Sequence, residues 1–405
     1  MNLAPKRISQ LGRVVTGKTP PTSRQEYFGG EYLFVTPSDL NYDHYYCRTT
    51  ERTVTEEAKA ALSNQFIPAD AVMFTCIGAT IGKCAIAPAE CLTNQQINSV
   101  VANEDTDSKF LYYLLSQNVD VVKGLGGGAA TPIVSKSKFE EVEYLVPRLR
   151  EQQAISDILS AYDDLIENNR RRMALLEEAA RQLYREWFVR LRFPGHEHTC
   201  ITDGVPEGWE RRTFADACSS LEDGDWIETK DQGGDDYRLL QISNIGINEF
   251  VETGNFRYVA EQTFKRLNCR ELIPGCILIA RMPKPIGRAW LVTEMPWRMI
   301  TAVDAAIVVA NEELADAHFL THYLNSPATL QHCERRAVGA TRPRIARREL
   351  AALPLLLPPR RLQTHFREFA EPLNRQRAVL YRQNEKLRAA RDLLLPRLMS
   401  GEIAV

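Results

Sequence analysis

The sequence lacks any apolar run long enough to cross a bilayer, which takes about 20 consecutive apolar residues. The N-terminal stretch MNLAPKRISQLGRVV also lacks the apolar core of a secretory signal peptide. Nine cysteines are present, an odd number with no CxxC pair, which favours reduced and mostly buried thiols over disulfides. Together these features predict a cytoplasmic protein that does not contact membranes.

An excess of charge of one sign is missing as well. The formal net charge is −2 over 405 residues, and 44% of the residues are hydrophobic. This ordinary globular composition predicts two or three domains, because a single core rarely extends over so long a chain. Any surface that attracts a polyanion must therefore be local. One such segment runs from Arg335 to Arg367 and holds nine arginines and one acid.

No catalytic motif in the sequence is complete. GRVVTGKT, from Gly12, matches the pattern of a phosphate-binding loop, but Pro20 and Pro21 follow where the helix of such a loop should begin. A structural loop, or one that faces DNA, is the favoured interpretation. Glu228 and Lys230 form an acid-x-Lys triplet of the kind found in nucleases, but the other half of the chain has no equivalent.

Cofactor and metal sites are equally incomplete. His196, His198 and Cys200 are possible zinc ligands, but no second ligand cluster with suitable spacing follows them, so no metal site is predicted. The sequence shows neither a glycine-rich cofactor loop behind a strand nor an Asn/Asp-Pro-Pro-aromatic motif of methyltransferases. We expect no catalytic residues and no cofactor in this chain.

What the sequence does contain is an internal repeat. IPADAVMFTCIGATIGK, from Ile67, matches IPGCILIARMPKPIGR, from Ile273, and VVANED, from Val100, matches VVANEE, from Val308. GAATPIVSKSKFEEVEYLVP then matches GATRPRIARRELAALPLLLP. Since these matches keep their order and the offset drifts slowly from 205 to 211, the chain is interpreted as two copies of one unit.

Each copy begins with a mixed segment and ends with a long helix. The mixed segments alternate short β-branched or aromatic runs with Gly, Pro and Asn turns, and each contains a helix, near 109–122 and near 316–332. The first long helix is predicted from about Glu151 to Phe188, where apolar residues alternate spacings of four and three, as in a coiled coil. A second, less regular helix follows Pro358 and Pro359 and is expected to end near Pro396 with a cap at Gly401.

The two long helices can bury their apolar stripes against each other. An antiparallel pairing of the two would separate the mixed segments. Asn169 lies on the first stripe and Asn384 near the second, where a buried Asn commonly fixes the register of a coiled coil. Leu387, Leu394 and Leu398 should pack on the first helix, whereas Leu393 and Leu395 should point away from it. The residues expected to pack the helices or to dock partners are Asn169, Leu176, Leu183, Trp187, Leu387, Leu393, Leu394 and Leu395.

Several stretches resemble the specificity subunits of type I restriction–modification enzymes. EQQAISDILSAYDDLIENNRRRMALLEEAARQLYREWF (151–188) is similar to the central helical region of that family, and VPEGWE (205–210) to the start of its second target-recognition domain. GKTP, from Gly17, resembles a Gly-x-Thr-Pro early in the first domain, and RDLLLPRLMSGEI resembles the C-terminal helical region. The resemblance covers essentially the whole chain, with its elements in the family's order.

The resemblance implies an α+β protein with two similar target-recognition domains separated by two long antiparallel coiled-coil helices. The implied divisions are residues 1–148 and 193–357 for the recognition domains, and residues 149–192 and 358–405 for the helices. It also implies that each domain reads one half of a split double-stranded DNA target. Two methyltransferase subunits, which use S-adenosylmethionine, would dock on the helices, and a motor–nuclease subunit, which uses ATP and Mg²⁺, would join for cleavage.

Candidate DNA contacts are polar or basic residues in turns that follow apolar strands. Asn and Gln can pair with adenine, Arg and Lys with guanine or phosphate. Simple turn chemistry explains the short polar residues equally well. In the first copy the candidates are Lys18, Thr19, Thr36, Ser38, Asp39, Lys83, Asn94, Gln95, Lys136 and Lys138. In the second copy they are Gln241, Ser243, Asn244, Arg281, Lys284, Arg288, Arg342, Arg344 and Arg347.

Two other functions fit parts of the sequence. A protein-binding scaffold could use the same helices without reading DNA, and a stand-alone nuclease or ATPase could use Lys18 or Lys230. The DNA-specificity subunit is favoured because the repeat of a mixed segment and a helix accounts for the whole chain.

Overall fold

The computed structural model describes residues 3–41, 45–126 and 132–405. Tertiary contacts divide the chain into two units, residues 1–171 with 381–405, and residues 172–380. Each unit contains one mixed domain and a segment of each long helix. We call Leu149–Tyr184 the first spacer helix and Arg360–Met399 the second spacer helix. None of the helices in the described ranges is long and apolar enough to span a membrane.

The mixed domain of the first unit is built on a four-stranded antiparallel sheet. Its strands, in spatial order, are Gly12–Thr16, Ile97–Ala102, Val72–Thr75 and Cys84–Ile86. A second sheet has the order Arg52–Val54, Phe28–Val35, Cys91–Thr93 and Phe66–Ile67, and Ala4–Arg7 pairs with Glu143–Val146. The helices are Ile8–Leu11, Glu56–Ala61, Ser108–Gln117, Val119–Gly124 and Lys136–Glu140, with 3-10 turns at Gln25–Tyr27, Ser63–Gln65 and Gly78–Thr80.

The mixed domain of the second unit repeats the four-stranded sheet with the same strand order, while its second sheet has three strands instead of four. Its four-stranded sheet has the order Cys218–Asp223, Ala305–Ala310, Ile277–Ala280 and Ala289–Leu291. Beside it lie the sheet Tyr258–Val259, Tyr237–Leu240 and Arg298–Thr301, and the pairs Glu210–Thr213 with Pro354–Leu357 and Ile201–Thr202 with Val205–Pro206. The helices are Glu261–Leu267, Ala317–Leu324, Pro327–Arg336 and Arg347–Ala351, with 3-10 turns at His196–His198, Ala215–Ala217, Thr229–Asp231 and Ile242–Asn244.

The predicted helix of each mixed segment is divided in two. In the first unit the break lies at Asn118, whose side chain donates a hydrogen bond to Leu114 O at 2.8 Å. In the second unit Ser326 caps a new helix, and Pro327 occupies its first turn, where a missing N–H does no harm. A single apolar pattern had hidden both breaks.

The spacer helices confirm the prediction of two long helices. The first ends in a π-helical turn, Arg185–Val189. The second passes through Pro396, so the expected end near that proline is wrong: Ser400 N still donates to Pro396 O at 3.0 Å. Leu398 is 1% exposed and anchors this last turn in the core, and Gly401, at φ 78°, follows it in the left-handed conformation expected of a cap.

Both spacer helices take part in the core of each unit. In the first unit Ile155 and Leu159 pack with Phe110 of the mixed domain and with Leu398. In the second unit Trp187 and Phe188 pack with Phe319 and with Phe366. Within each unit, residues further along the first spacer helix contact residues earlier in the second. The two helices therefore run antiparallel in each unit.

One glutamine joins mixed domain and helix in the same way in both units. Gln152 donates to Pro147 O at 2.9 Å and accepts from Asp107 N at 2.9 Å. Gln363 donates to Pro358 O at 2.8 Å and accepts from Asp316 N at 2.8 Å. Both side chains are 0% exposed, and the sequence analysis had not singled them out.

Candidate nucleic-acid interface

The polar turns that follow the second-sheet strands are built alike in the two units. Asp39 accepts hydrogen bonds from Thr36 N at 2.8 Å and from Glu51 N at 2.9 Å. Asn244 accepts from Gln241 N at 2.9 Å and donates to Val251 O at 2.9 Å. These two candidates therefore hold their own turns together, and Asn244 is only 2% exposed. The exposed residues of the turns are Ser38 and Ser243.

A basic side chain supports each turn from beneath. Lys83 Nζ donates to Pro37 O at 2.9 Å. Arg288, 8% exposed, donates to Ile242 O at 2.9 Å and Ile245 O at 2.6 Å, and also to the carbonyls of Pro283 and Pro285 at 2.6 and 3.1 Å. Burial lowers the pKa of Arg288 from its ordinary value. Lys83 and Arg288 thus bind backbone carbonyl groups of their own domains. Arg288 is not available to a base or a phosphate.

The glycine loop of the first unit packs tightly on a neighbouring turn. A Cβ on Gly17 would lie 2.2 Å from Thr93 O, and Lys18 N donates to that oxygen at 2.8 Å. The side chain of Lys18 is exposed, while Thr19 Oγ1 donates to Gln95 Oε1 at 2.6 Å. Since the residues after Gly17 are coil and not helix, the segment is not a phosphate loop of the NTPase type.

A small cleft brings several of the first-unit candidates together. It has a volume of about 250 Å³ and is lined by Thr19, Phe34, Thr36, Ser38, Asp39, Glu51 and Arg52. Asn94 does not line this cleft. It is 8% exposed, and its Oδ1 accepts a hydrogen bond from Gln96 N at 3.0 Å. The cleft offers hydroxyl groups and one arginine, which is suitable chemistry for contacts with sugar, phosphate or base edges.

The second unit carries different side chains on the same loop. A Cβ on Gly224 would lie 2.7 Å from Thr301 O, and Asp225 N donates to that oxygen at 2.8 Å, as Lys18 N does in the first unit. The position of Thr19 is therefore taken by Trp226, whose side chain is 71% exposed. Matching Gly17 with Gly224 would have revealed this residue in the sequence.

Arginines of the second unit gather around a larger cleft. It has a volume of about 630 Å³ and is lined by Ala215, Cys218, Ser219, Ser220, Leu221, Asp223, Arg281, Ala346, Arg347, Arg348 and Ala351. Arg281 is 6% exposed, pairs with Asp223 and donates to Ile345 O at 3.1 Å. Arg347 lies 3.7 Å from Asp223. Burial lowers the pKa of Arg281, a cost that the Asp223 carboxylate partly offsets.

The remaining basic candidates are exposed to different degrees. Arg344 pairs with Asp304 at 3.1 Å and donates to Val303 O, and thereby fixes the hairpin formed by Val338 and Arg344. Arg342, near its tip, is exposed and has no ion-pair partner in the described ranges. Lys136 pairs with Glu140 at 3.5 Å, Lys138 donates to Leu125 O at 3.3 Å, and Lys284 pairs with Glu334 at 3.0 Å. Gly127 and Gly128 lie outside the described residues.

The helix candidates divide into buried and exposed residues. Asn169 Nδ2 donates to Asn384 Oδ1 at 2.9 Å, and both residues are buried. Leu394 packs in the core of the first unit, as predicted, and Leu176 and Leu387 are half-buried. Leu183 packs against the second core, which contains the buried Trp187, so Trp187 is not an exposed docking residue. Leu393 is 71% exposed, whereas Leu395 packs against the first core, which contains residues of the mixed domain and of both spacer helices.

Two acids on the first spacer helix had not been recognised in the sequence. Asp163 is 2% exposed, whereas its aromatic neighbour Tyr162 is half-buried. Glu177 is half-buried and pairs with Arg377. A predicted apolar stripe therefore carries two carboxylates, and each has an arginine partner on the second spacer helix.

The motifs considered for catalysis show ordinary structural contacts. Lys230 pairs with Glu228 at 2.7 Å on the surface. His196 Nδ1 lies 2.8 Å from Phe193 O, within the turn that follows the first spacer helix. The described ranges contain no group of three or more His, Cys, Asp or Glu side chains placed to hold a metal ion.

Comparison with known proteins finds similarity to the specificity subunits of type I restriction enzymes. A family model described as the type I restriction modification DNA specificity domain matches residues 2–178. The type I restriction enzyme MjaIX specificity subunit of Methanocaldococcus jannaschii is 27% identical over 409 residues, covering 99% of this chain and 93% of that protein. The HindI specificity subunit of Haemophilus influenzae is 30% identical over 173 residues, covering 41% and 37%.

A solved structure has the same fold. The S subunit of a type I restriction–modification system from M. genitalium superimposes with a TM-score of 0.58 at 15% identity, covering 98% of this chain and 96% of that one. The similarity in sequence thus extends over 93% of the MjaIX subunit, and the similarity in fold over 98% of this chain. Residues 2–178 match the type I restriction modification DNA specificity domain, and the chain as a whole is similar to type I restriction specificity subunits.

Proposed function

We propose that this chain reads a bipartite, asymmetric DNA target, one half with each mixed domain. The observation that carries this proposal is the combination of one repeated scaffold with two different surfaces. The glycine loops are held alike on Thr93 O and Thr301 O, yet the exposed side chain that follows is Lys18 in one unit and Trp226 in the other. Because the frames match and the exposed side chains do not, two related but different half-sites are expected.

The exposed candidates form the proposed contact set. In the first unit Lys18 suits a phosphate, and Thr19, Ser38 and Gln95 suit phosphates or base edges. In the second unit Ser243 and Arg342 have the required exposure, and Arg347 lies at the larger cleft. Asp39, Asn244, Lys83 and Arg288 are proposed to act indirectly, by shaping the turns that present these residues.

Exposed apolar residues on the spacer helices support the docking of two copies of one partner. Ile158 and Leu165, in the first unit, are 40% and 51% exposed. Phe369, in the second unit, stands 211 residues after Ile158, the same offset as between Gln152 and Gln363, and it is 49% exposed. Equivalent apolar residues in a duplicated chain suit two identical partners, which we assign as the methyltransferase subunits.

The chain itself is proposed to be non-catalytic and cytoplasmic. Methyl transfer from S-adenosylmethionine would belong to the methyltransferase subunits, and ATP-dependent cleavage to a motor–nuclease subunit. Residues 1–148 and 193–357 would be the recognition domains, joined by helical segments 149–192 and 358–405. Incubation of the chain alone with DNA, Mg²⁺ and ATP should give no turnover; turnover that Lys18→Ala or Lys230→Ala abolishes would contradict the proposal.

The decisive experiment maps the methylated sequence. The chain, assembled with its methyltransferase subunits, should methylate one bipartite motif. Thr19→Ala with Gln95→Ala should relax only the half read by the first domain, by about 1–3 kcal/mol at a base-reading position, whereas Lys18→Ala, at a phosphate, should weaken methylation of the whole motif. Arg342→Ala should affect only the other half, and Arg190→Ala, at the end of the first spacer helix, is the charge-matched control. Equal relaxation of both halves by the double variant would argue against separate reading domains.

A further inference from the structure

Each unit contains a buried ionic contact between the two spacer helices, and each contact includes a polar group of the mixed domain. In the first unit, Asp163 of the first helix pairs with Arg391 of the second. Tyr113 OH, from the helix Ser108–Gln117, donates to the same carboxylate at 2.5 Å. Tyr113 is 1% and Asp163 2% exposed, and the side chain of Arg391 is 13% exposed, so the carboxylate is shielded from solvent. Three elements therefore converge on one carboxylate.

The second unit has a related contact at a different place, in which an asparagine replaces the tyrosine and a second acid, Glu249, lies 3.6 Å from Arg377. Glu177 of the first helix pairs with Arg377 of the second, and Asn248 Nδ2 donates to Glu177 Oε2 at 3.1 Å. Arg377 also donates to Asn248 O at 3.0 Å. Asn248 is 6% exposed, and its N–H donates to Ala289 O at 2.8 Å. The polar contacts thus continue from the helices to the central sheet of the mixed domain.

Placing charged side chains in these contacts costs desolvation free energy. Burial raises the pKa of Asp163 and of Glu177, and the paired arginine opposes the shift in each case. A buried ion pair is often no more stable than apolar residues of similar size, since desolvation offsets the attraction. Apolar packing, however, tolerates sliding and rotation, whereas hydrogen bonds to a carboxylate require a direction. Orientation, rather than stability, explains why charge is kept here.

The two contacts are not copies of each other. Asp163 corresponds, at the offset of 211, to Asn374, whose side chain lies 3.3 Å from His318 Nδ1. Glu177 corresponds at the same offset to Arg388, which pairs with Glu385 instead. Each mixed domain is therefore fastened to its helices by its own set of polar residues, although the scaffolds repeat.

We propose that Tyr113–Asp163–Arg391 and Asn248–Glu177–Arg377 are positioning residues, which set how each recognition domain is oriented on the spacer helices and thereby which spacing between half-sites is accepted. This proposal rests on the proposed function, bipartite DNA reading. The residues do not contact DNA in this scheme. They act through the orientation of the domain that does.

The test uses the full chain assembled with its methyltransferase subunits. Substrates carry the parent's two half-sites with the parent's spacer, or with a spacer one base pair shorter or longer. The variant Tyr113→Phe/Asp163→Leu/Arg391→Met replaces the whole contact with apolar groups. Its melting temperature should stay within about 4 °C of the parent's. Its methylation of the altered spacers, relative to the parent's spacer, should rise by about tenfold or more, with the same bases read.

Two further variants keep the test decisive. Tyr113→Phe removes one hydroxyl group from a folded core and should relax spacer selectivity in the same direction, by a smaller factor. In Asp163→Asn the amide oxygen can still accept from Arg391, and the amide nitrogen can donate to Tyr113 OH, which then accepts, so the directional contacts and the parent's selectivity should be kept. If Tyr113→Phe and the triple variant both kept the parent's spacer preference, the inference would be overturned. A parent complex that shows no bipartite motif would instead overturn the proposed function.

Discussion

At the scale of single residues, the turns 36–39 and 241–244 show where reasoning from sequence succeeds and stops. Short polar residues after a strand predict a turn, and both turns are present. The same residues also suit base reading, and the sequence cannot choose between these roles. Burial makes the choice: Asn244 is 2% exposed, and its side chain caps its own turn. A side chain that satisfies the backbone in this way has little left for a ligand.

Arg288 provides a test of this distinction. Arg288→Ala removes the donors to four carbonyl groups, so it should lower the free energy of unfolding by about 3 kcal/mol. Lys284→Ala, on the same loop, removes one exposed pair with Glu334 and should cost less than about 1 kcal/mol. Urea denaturation of the two variants measures the difference. A stable Arg288→Ala protein with weakened DNA binding would restore Arg288 as a direct contact.

His322 gives the second unit a dependence on pH. The ring is buried against Tyr184 and Phe366, and its Nε2 has no hydrogen-bond partner. Burial, with smaller effects of His318 and Arg377, lowers the pKa of His322 from 6.5 to about 3. Between these values the unfolded chain binds a proton that the folded chain does not, so stability falls as the pH falls through this range.

The expected slope from His322 is at most about 1.4 kcal/mol per pH unit below pH 6.5. The measurement is the free energy of unfolding from urea titrations between pH 7 and pH 5. His322→Phe should remove this part of the slope, and His198→Gln, an exposed histidine variant, should leave it in place. An unchanged slope in His322→Phe would mean that other groups cause the acid sensitivity.

At the scale of elements, the heptad pattern predicted the spacer helices but not their polar contacts. Ile155, Leu159 and Ile166 are buried as the pattern requires. Asp163 broke the prediction, because the helix packs against both its partner helix and the mixed domain, and a heptad describes only one such face. The sequence alone could not show that Tyr113 and Arg391 would meet this carboxylate.

The Asn169–Asn384 hydrogen bond leads to a prediction about these helices. The double variant Asn169→Leu/Asn384→Leu should be more stable than the parent by about 1–3 kcal/mol, because two buried amides are replaced by apolar groups. Asn384→Leu alone should be less stable, by about 1–3 kcal/mol, since Asn169 loses its partner in a buried site. Urea denaturation gives both values. Equal effects of the single and double changes would show that the two side chains are not coupled.

At the scale of the whole molecule, the repeat was the most informative part of the sequence. It predicted two similar α+β domains. The four-stranded sheets that begin with Gly12–Thr16 and with Cys218–Asp223 have the same strand order. It could not give the loop alignment to the residue, because insertions shift the offset between matches. Gln152 and Gln363 carry no sequence signature, because each is a lone glutamine. Only their hydrogen bonds to backbone groups of the mixed domain show that they join it to the helix.

The geometry at Gln152 and Gln363 is the same in both units, and it suggests where the proposed recognition domains can be exchanged. Replacing residues 1–148 with the aligned segment of the MjaIX subunit keeps Gln152 in the first spacer helix, and the backbone groups that replace Asp107 N and Pro147 O come from the incoming segment. The chimera, assembled with this chain's methyltransferase subunits, should methylate a motif in which one half is new and the other is unchanged. Replacing 193–357 instead should change the opposite half. Single-molecule sequencing of methylated DNA reads both results, and a motif that stays whole after the first exchange would show that residues 1–148 do not read DNA.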